Sequence, residues 1–327
     1  MNEHRLVEAL GDGHPTPVIL TSACLLGQQV RYDGGHKRNR YLETLAAYME
    51  LRPICPEVAI GLGVPRPPIH LVQHDSRVRL LEVRDHSRDF TDKMTDFARA
   101  QLNEHDSVDG FIAKKDSPSC GMARVRVHDG ERQLIHKRGV GMFTGVWQAL
   151  RPELPVEEEG RLNDLILREN FLQRVFVHCR WRKLREEGLT PARLIEFHTR
   201  HKYMVMAHNI SAYQRLGRLL SQAGKRPFEA LAKEYFLQLM AALQRRARRP
   251  NHVNALQHLS GYLRKYLSSQ DRQELARAIE DYRRGEVPLI VPFTLLRHHQ
   301  SHIRDLYLAW QYYLEPYPPA LGLRNGI

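Results

Sequence analysis

The feature that most constrains this chain is the position of three of its four cysteines. Cys24, Cys55 and Cys120 each follow a short apolar run, and each lies among glycine, proline or serine residues that favour turns. In a parallel α/β sheet the strand ends on one edge converge, and ligands bind there. We therefore expect the three thiols to meet around one object at the edge of such a sheet.

Length and periodicity predict two domains. A chain of 327 residues is too long for one typical hydrophobic core. Up to about residue 150, short apolar runs alternate with helical spacing, which predicts an α/β domain with a mainly parallel sheet. Three strands are expected at 18–20, 78–83 and 108–113, and helices at 40–51, 89–102 and 144–150.

Beyond residue 155 the pattern changes to long helices. The Pro- and Glu-rich stretch 151–160 breaks both periodicities and is typical of a linker. Apolar residues three and four apart then predict an all-α domain, with helices at 162–184, 191–223, 227–246, 251–267 and 271–284. The predicted domains are therefore 1–155 and 156–327.

Composition restricts the class of protein and its partners. No run of about 18 apolar residues is present, so no membrane span is expected, and the start of the chain has no apolar secretory signal. We place the protein in the cytoplasm, where four cysteines favour ligands or nucleophiles over disulfides. The net charge of +12 favours an anionic partner such as nucleic acid or a phosphorylated small molecule, or else a solvated basic surface.

The spacing of the cysteines alone does not identify the group that three thiols would hold. Structural zinc is nearly always four-coordinate and usually uses close cysteine pairs, which this chain lacks. A 4Fe–4S cluster usually takes four thiolates, and three would leave one iron free as a Lewis acid for a soft sulfur atom. Buried or catalytic thiols are the remaining alternative.

The residues around the cysteines resemble the thiouracil desulfurase family. The resemblance spans approximately residues 16–150 and rests on 22–27 with 31–34, 55–57 with 65–67, and 109–111 leading to 117–121. It implies a 4Fe–4S cluster on Cys24, Cys55 and Cys120, whose open iron takes the sulfur of a thiolated pyrimidine such as 2-thiouracil. The implied reaction is a hydrolysis without redox change, in which thiocarbonyl becomes carbonyl and sulfur leaves as sulfide by way of the cluster.

Four further residues are candidate site residues. By its place in the resemblance, Glu57 matches the family's acid/base carboxylate and Ser117 its proton-transfer or orienting serine. A carboxylate that caps a turn and a serine that starts one are the structural alternatives. Arg66 and Ser119 are predicted to bind substrate, and a structural ion pair is the alternative for Arg66.

The second half resembles YbgA-like helical domains, at 197–203 and 251–258, which carry no settled activity. Histidines at 198, 201 and 208 and at 298, 299 and 302 have the spacing of helical metal ligands, although hydrogen bonding inside a bundle is commoner. Cys179 is expected to pack as a small apolar residue. The basic run 245–249 suits a helix C-terminus or a phosphate backbone. An RNA-binding or RNA-modifying protein that acts on thiolated bases is therefore the alternative function.

Overall fold

The computed structural model describes residues 13–303 and 306–321. The chain forms two compact units, of which the first is Thr16–Asn163. The second begins at Asp164 and also includes residues 13–15, which precede the first unit in the sequence. Because the division follows Asn163, the first unit runs past residue 155, where the sequence predicts its end.

Eight strands form two four-stranded sheets in the first unit: β1 (Val18–Ser22), β2 (Glu50–Ile54), β3 (Ile69–His74), β4 (Arg77–Glu82), β5 (Gly110–Ala113), β6 (Val125–His128), β7 (Leu134–Gly139) and β8 (Val156–Glu158). The first sheet has the order β2-β1-β5-β8, and every pair in it is parallel. The second has the order β4-β3-β6-β7, with antiparallel outer pairs and a parallel central pair.

Strand β8 lies in the stretch that the sequence predicts as a linker. That prediction is wrong, because Val156–Glu158 pairs with Phe111–Ala113 at the edge of the first sheet. All three residues of β8 are buried. The acidic side chains that suggest a solvated linker are paired instead, since Glu157 accepts a hydrogen bond from Arg161 and Glu158 accepts one from the backbone of Met122.

Four helices belong to the first unit: α1 (Arg40–Leu45), α2 (Pro56–Ala59), α3 (Thr91–Glu104) and α4 (Met142–Leu150). The helix predicted at 40–51 ends six residues early, and its apolar residue Leu51 belongs to β2. Phe111, Phe143 and Trp147 are fully buried and contact one another in the core. The indole N–H of Trp147 donates to the carbonyl of Ala98, which ties α4 to α3.

The described part of the second unit contains eight α-helices: α5 (Leu165–Glu186), α6 (Pro191–His208), α7 (Ile210–Leu220), α8 (Phe228–Gln244), α9 (Arg249–Leu263), α10 (Ser269–Arg284), α11 (Ile290–Ser301) and α12 (Leu306–Ala309). The fold prediction, an α/β domain with a mainly parallel sheet followed by an all-α domain, is confirmed. Within it, the single helix predicted at 191–223 is wrong. The chain breaks at Asn209, whose extended backbone and side-chain cap on Ala212 start a new helix.

Helix α5 is the most enclosed helix of this unit, because every residue from Glu169 to Trp181 is buried. His14 packs on it: its ring lies 5.7 Å from the ring of Phe176, and its Nδ1 is 3.0 Å from the Arg180 guanidinium. None of the described helices is both long enough and apolar enough to cross a membrane.

Candidate active site

The three candidate cysteines follow three neighbouring parallel strands. Cys24 lies in the 3₁₀ turn Ala23–Leu26 directly after β1, and Cys55 directly follows β2 as the N-cap of α2. Cys120 lies in the loop after β5. Since β2, β1 and β5 are adjacent in the sheet, their carboxyl ends share one edge. All three cysteines line one cavity of about 410 Å³ there.

The Cys120 turn is held by the hydroxyl of Ser117. This oxygen accepts hydrogen bonds from the backbone N–H of Ser119 at 3.3 Å and of Cys120 at 3.0 Å. The start of α4 packs directly on the turn at Gly141. A Cβ on that glycine would lie 2.6 Å from the backbone of Ser119 and of Gly121, so any larger residue would displace the turn or the helix.

Glu57 is a carboxylate of the cavity and is fixed by two partners. Arg66 donates to its Oε2 from Nε at 3.0 Å and from Nη2 at 2.6 Å. The Ser119 hydroxyl donates to Oε1 at 2.5 Å and is itself 3.0 Å from the Ser117 hydroxyl. The carboxylate, both serines and the Cys120 turn therefore form one connected network.

Arg66 also fixes two segments of backbone beside Glu57 and Cys55. Its Nη1 donates to the carbonyls of Gly63 and Val30, and the same Val30 carbonyl accepts a contact from the Cys55 thiol at 3.7 Å. The Arg66 side chain is only 3% exposed. Because each of its guanidinium nitrogens already donates within the chain, its geometry favours positioning Glu57, and its predicted contact with substrate stays a prediction.

Burial keeps the three thiols protonated when no metal is bound. Desolvation raises the pKa of Cys24 to about 11, and the nearby Cys55 thiol adds to this effect, whereas the positive charges of Lys114 and Arg31 oppose it. Burial raises the pKa of Cys120 to about 12 and also raises that of Cys55. A metal at this site must displace these protons, because the thiolate is the ligand.

The three thiols on this cavity are the ligand type that iron–sulfur clusters use. Across the described ranges, no group of three or more His, Cys, Asp or Glu side chains is close enough to hold one metal ion. Yet three cysteines line a common cavity. A 4Fe–4S cluster binds each thiolate through a different iron, so its ligands stand farther apart than those of a zinc ion. The donor set therefore fits a cluster with three protein thiolates.

Several polar residues that line the cavity are not among the predicted site residues, and four of them are described next. Ser22 bonds the Cys120 thiol and accepts a hydrogen bond from the Lys114 backbone. Arg31, Tyr32 and Lys114 also line the cavity. Ser22 and Lys114 could have been identified from their position, since one ends β1 and the other directly follows β5. Arg31 and Tyr32 follow no strand end, so position alone does not identify them as cavity residues.

Matches to known families divide the chain into two parts, as the two structural units do. The family described as 2-thiouracil desulfurase matches residues 19–159, and the family described as a protein of unknown function, DUF1722, matches residues 202–318. The chain belongs to the 2-thiouracil desulfurase family through its first half, with a DUF1722 domain in its second half. The desulfurase match spans all three cysteines, Glu57 and Ser117. The resemblance stated from the sequence motifs is confirmed.

Two individual relatives extend the comparison. The "Uncharacterized protein YbgA" of Escherichia coli (strain K12) is 32% identical over 159 residues, which are 48% of this chain and 94% of that protein. A solved structure of a [4Fe-4S]-dependent thiouracil desulfidase, TudS, is 30% identical and covers 46% of this chain and 97% of that one, with a TM-score of 0.37.

The three histidines at 198, 201 and 208 make hydrogen bonds inside the helical unit. His198 lies 3.1 Å from the Tyr235 hydroxyl, His201 bonds the Phe197 carbonyl at 2.7 Å, and His208 bonds Gln173 at 3.0 Å. The described residues contain no set of three such side chains arranged for a metal ion. Cys179 is fully buried on α5, as its apolar neighbours predict.

Two arginines of the basic run 245–249 have different roles in the structure. Arg249 begins α9, where its Nη1 donates to the Tyr282 carbonyl at 3.1 Å and its guanidinium lies over the Tyr282 ring. This arginine therefore joins α9 to α10, and a phosphate contact of the basic run stays a prediction. Arg245, as the C-cap of α8, presents its carbonyl to His208.

Proposed function

We propose that the first unit hydrolyses a thiolated pyrimidine such as 2-thiouracil with a 4Fe–4S cluster held by Cys24, Cys55 and Cys120. The observation that carries the proposal is the convergence of these thiols, with Glu57, on one cavity. The match to the 2-thiouracil desulfurase family supports it. When bound, the cluster would supply one iron without a protein thiolate, a Lewis acid for the substrate's sulfur.

Glu57 is the general base in this proposal. Water adds to the thiocarbonyl carbon, so a C–O bond forms while the C–S bond breaks, and the products are the carbonyl compound and sulfide. Glu57 takes one proton from the attacking water and returns it to the departing sulfur. The second water proton passes to solvent as the carbonyl forms, so sulfur leaves as hydrosulfide. No electron is transferred, so no external oxidant or reductant is needed.

Arg66 and Ser119 keep Glu57 in place for this proton transfer. The two-point contact of Arg66 with Oε2 prevents the carboxylate from rotating. Ser119 donates to the other oxygen. Ser117 orients the Cys120 turn through its hydrogen bonds to two backbone N–H groups. Ser119 and Arg66 are thus positioning residues that border the substrate cavity.

Anaerobic reconstitution tests the cluster assignment. Full-length protein treated with iron and sulfide should turn brown and contain about four irons per chain. Serine substitution at Cys24, Cys55 or Cys120 should lower the iron content sharply. Cys179→Ser is the matched control, because that cysteine lies on α5 and does not line the cavity. A colourless protein that binds one zinc ion would overturn the assignment.

Turnover of 2-thiouracil tests the reaction. The reconstituted protein should release uracil and sulfide in equal amounts. Glu57→Gln should keep its iron and lose about 10²–10⁴-fold in rate, the usual contribution of a general base. Asp116→Asn is the control, since this carboxylate lines the same cavity but is exposed, and its ion-pair partner is Lys115 at 3.9 Å. Equal rates in the two variants would exclude Glu57 as the base.

A further inference from the structure

The helical unit has a cavity of its own that the desulfurase proposal does not use. Its volume is about 560 Å³ and its described lining is Gly261, Tyr262, Arg264, Lys265 and Arg272. It therefore lies where α9 ends and α10 begins. This volume falls within the range of small-molecule binding sites.

The described lining of this cavity is positively charged. Arg264 and Arg272 line it, and neither side chain makes a hydrogen bond or ion pair with any other described residue. Other exposed arginines of the unit, such as Arg226 and Arg297, contact a glutamate. No acidic side chain is among the described lining residues. Two such guanidinium groups on one cavity attract an anion, and phosphate fits their planar donor geometry.

The cavity also presents aromatic surface. Tyr262 is 41% exposed, and its ring lies tilted against the ring of Tyr307 with centroids 4.8 Å apart. Tyr266, four residues further on, is 48% exposed, and Lys265 Nζ lies 4.6 Å from the centre of its ring. Exposed tyrosines beside arginines form the stacking and phosphate contacts of proteins that bind unpaired bases.

Gly261 keeps the cavity open at a cost to the helix. It lies inside α9, where glycine is less stable than alanine. A Cβ at this position would have no heavy atom within 4 Å outside the residues adjacent to it and the helix's own backbone. A side chain added at this position would therefore extend into open space beside the cavity.

We propose that this cavity binds a nucleotide, with the base stacked on Tyr262 and the phosphate held by Arg264 and Arg272. A free nucleotide and a segment of single-stranded RNA share this chemistry. The site is separate from the cysteine cavity, and its occupancy requires neither the cluster nor desulfuration. In this proposal, two basic residues of the helical half bind the ligand.

Binding of two probes to the full-length protein tests the proposal. A fluorescein-labelled ten-nucleotide oligouridylate is titrated by anisotropy at several salt concentrations, and unlabelled 5′-UMP is used as competitor. Arg264→Ala and Arg272→Ala should each weaken binding and lower the salt slope by about 0.7, the value for one phosphate contact with a single strand. Competition by UMP at concentrations similar to the oligomer indicates a free nucleotide, and competition only by the oligomer indicates RNA.

Two further variants separate ligand binding from folding. Gly261→Leu fills the cavity from a helix position with open space beside it, so it should abolish binding while the thermal midpoint is retained. Tyr262→Ala should weaken binding about fivefold to a hundredfold through lost stacking.

Arg277→Ala is the control for charge, because Arg277 is also exposed on α10, has no ion pair with a described residue, and does not line the cavity. Three results would each overturn the proposal: no binding of either probe at low salt, normal binding by Gly261→Leu, or an effect of Arg277→Ala as large as that of Arg272→Ala.

Discussion

Replacement of Arg66 by methionine should strongly destabilise the first unit. The substitution keeps an extended apolar chain but removes four hydrogen bonds, two to Glu57 and one each to the carbonyls of Val30 and Gly63. It also leaves the Glu57 carboxylate, whose side chain is 13% exposed, without its counter-charge. Breaking a buried ion pair by removal of one partner costs about 3–5 kcal/mol, and we expect a loss in that range.

The expected loss of stability depends on the burial of the ion pair, so an exposed ion pair serves as the comparison. Arg38 bonds Glu43 at 2.7 Å, but these side chains are 61% and 50% exposed. Arg38→Met should therefore cost less than about 1 kcal/mol. The double variant Glu57→Gln/Arg66→Met should be less destabilised than Arg66→Met alone, because a neutral amide tolerates the loss of the guanidinium better than a carboxylate does.

Urea unfolding, monitored by hydrogen exchange and mass spectrometry, measures the loss of stability separately in each unit. Peptides from β1 and β5 report the first unit, and peptides from α5 report the helical unit as an internal reference. The iron content and turnover of each variant should be recorded in the same preparations. If Arg66→Met and Arg38→Met destabilise the sheet peptides equally, the account of a buried, charge-paired Glu57 is refuted.

Three further changes test other parts of the structure. Gly141→Ala should cost about 1–3 kcal/mol by overpacking against Ser119 and should lower the iron content, both measurable after reconstitution. Asn209→Ala removes the cap of α7 and should destabilise the helical unit by about 1 kcal/mol, seen as a lower urea midpoint. Burial lowers the pKa of His198 and of His208 to about 4. The unfolded chain therefore binds protons that the folded chain does not, and stability should fall as pH drops from about 6.5 towards 4, by about 1.4 kcal/mol per pH unit for each histidine.

Two of these tests have a control in the same chain. Gly217 lies within α7, and a Cβ added there would meet no heavy atom within 4 Å beyond its neighbours and the helix's own backbone. Gly217→Ala should therefore stabilise that helix slightly, in contrast to Gly141→Ala. His258 is exposed, and His258→Gln should leave the pH dependence unchanged. A urea midpoint that stays constant between about pH 7 and 4.5 would contradict the buried histidines, and an unaltered midpoint in Asn209→Ala would contradict the cap.

The cysteine site was predictable because its signals are local. Cys24 and Cys55 come within two residues of a strand end, and a short apolar run followed by a turn is visible in the sequence. The parallel arrangement then places such ends together. The partners of Glu57 were less visible, since Arg66 and Ser119 reach it across 9 and 62 residues of chain. No periodicity records such contacts.

The errors in the fold prediction have equally specific causes. Strand β8 was missed because its glutamates are buried through hydrogen bonds, which polarity alone does not indicate. Strand β7 was missed because it is largely exposed and polar, so it lacks the alternation that identifies a strand. The break at Asn209 interrupts an apolar pattern that continues on both sides, and only the capping preference of asparagine marks it.

Residues 13–15 give the chain an unusual connectivity with a practical consequence. The polypeptide leaves the helical unit after Pro15 and re-enters it at Asp164, so the sheet unit is an insertion with two attachment points. A fragment that starts at residue 164 loses His14, and with it the ring that covers Phe176 and the acceptor beside Arg180. Isolation of the helical half therefore requires that a short flexible bridge replace residues 16–163 and that the segment before them be kept.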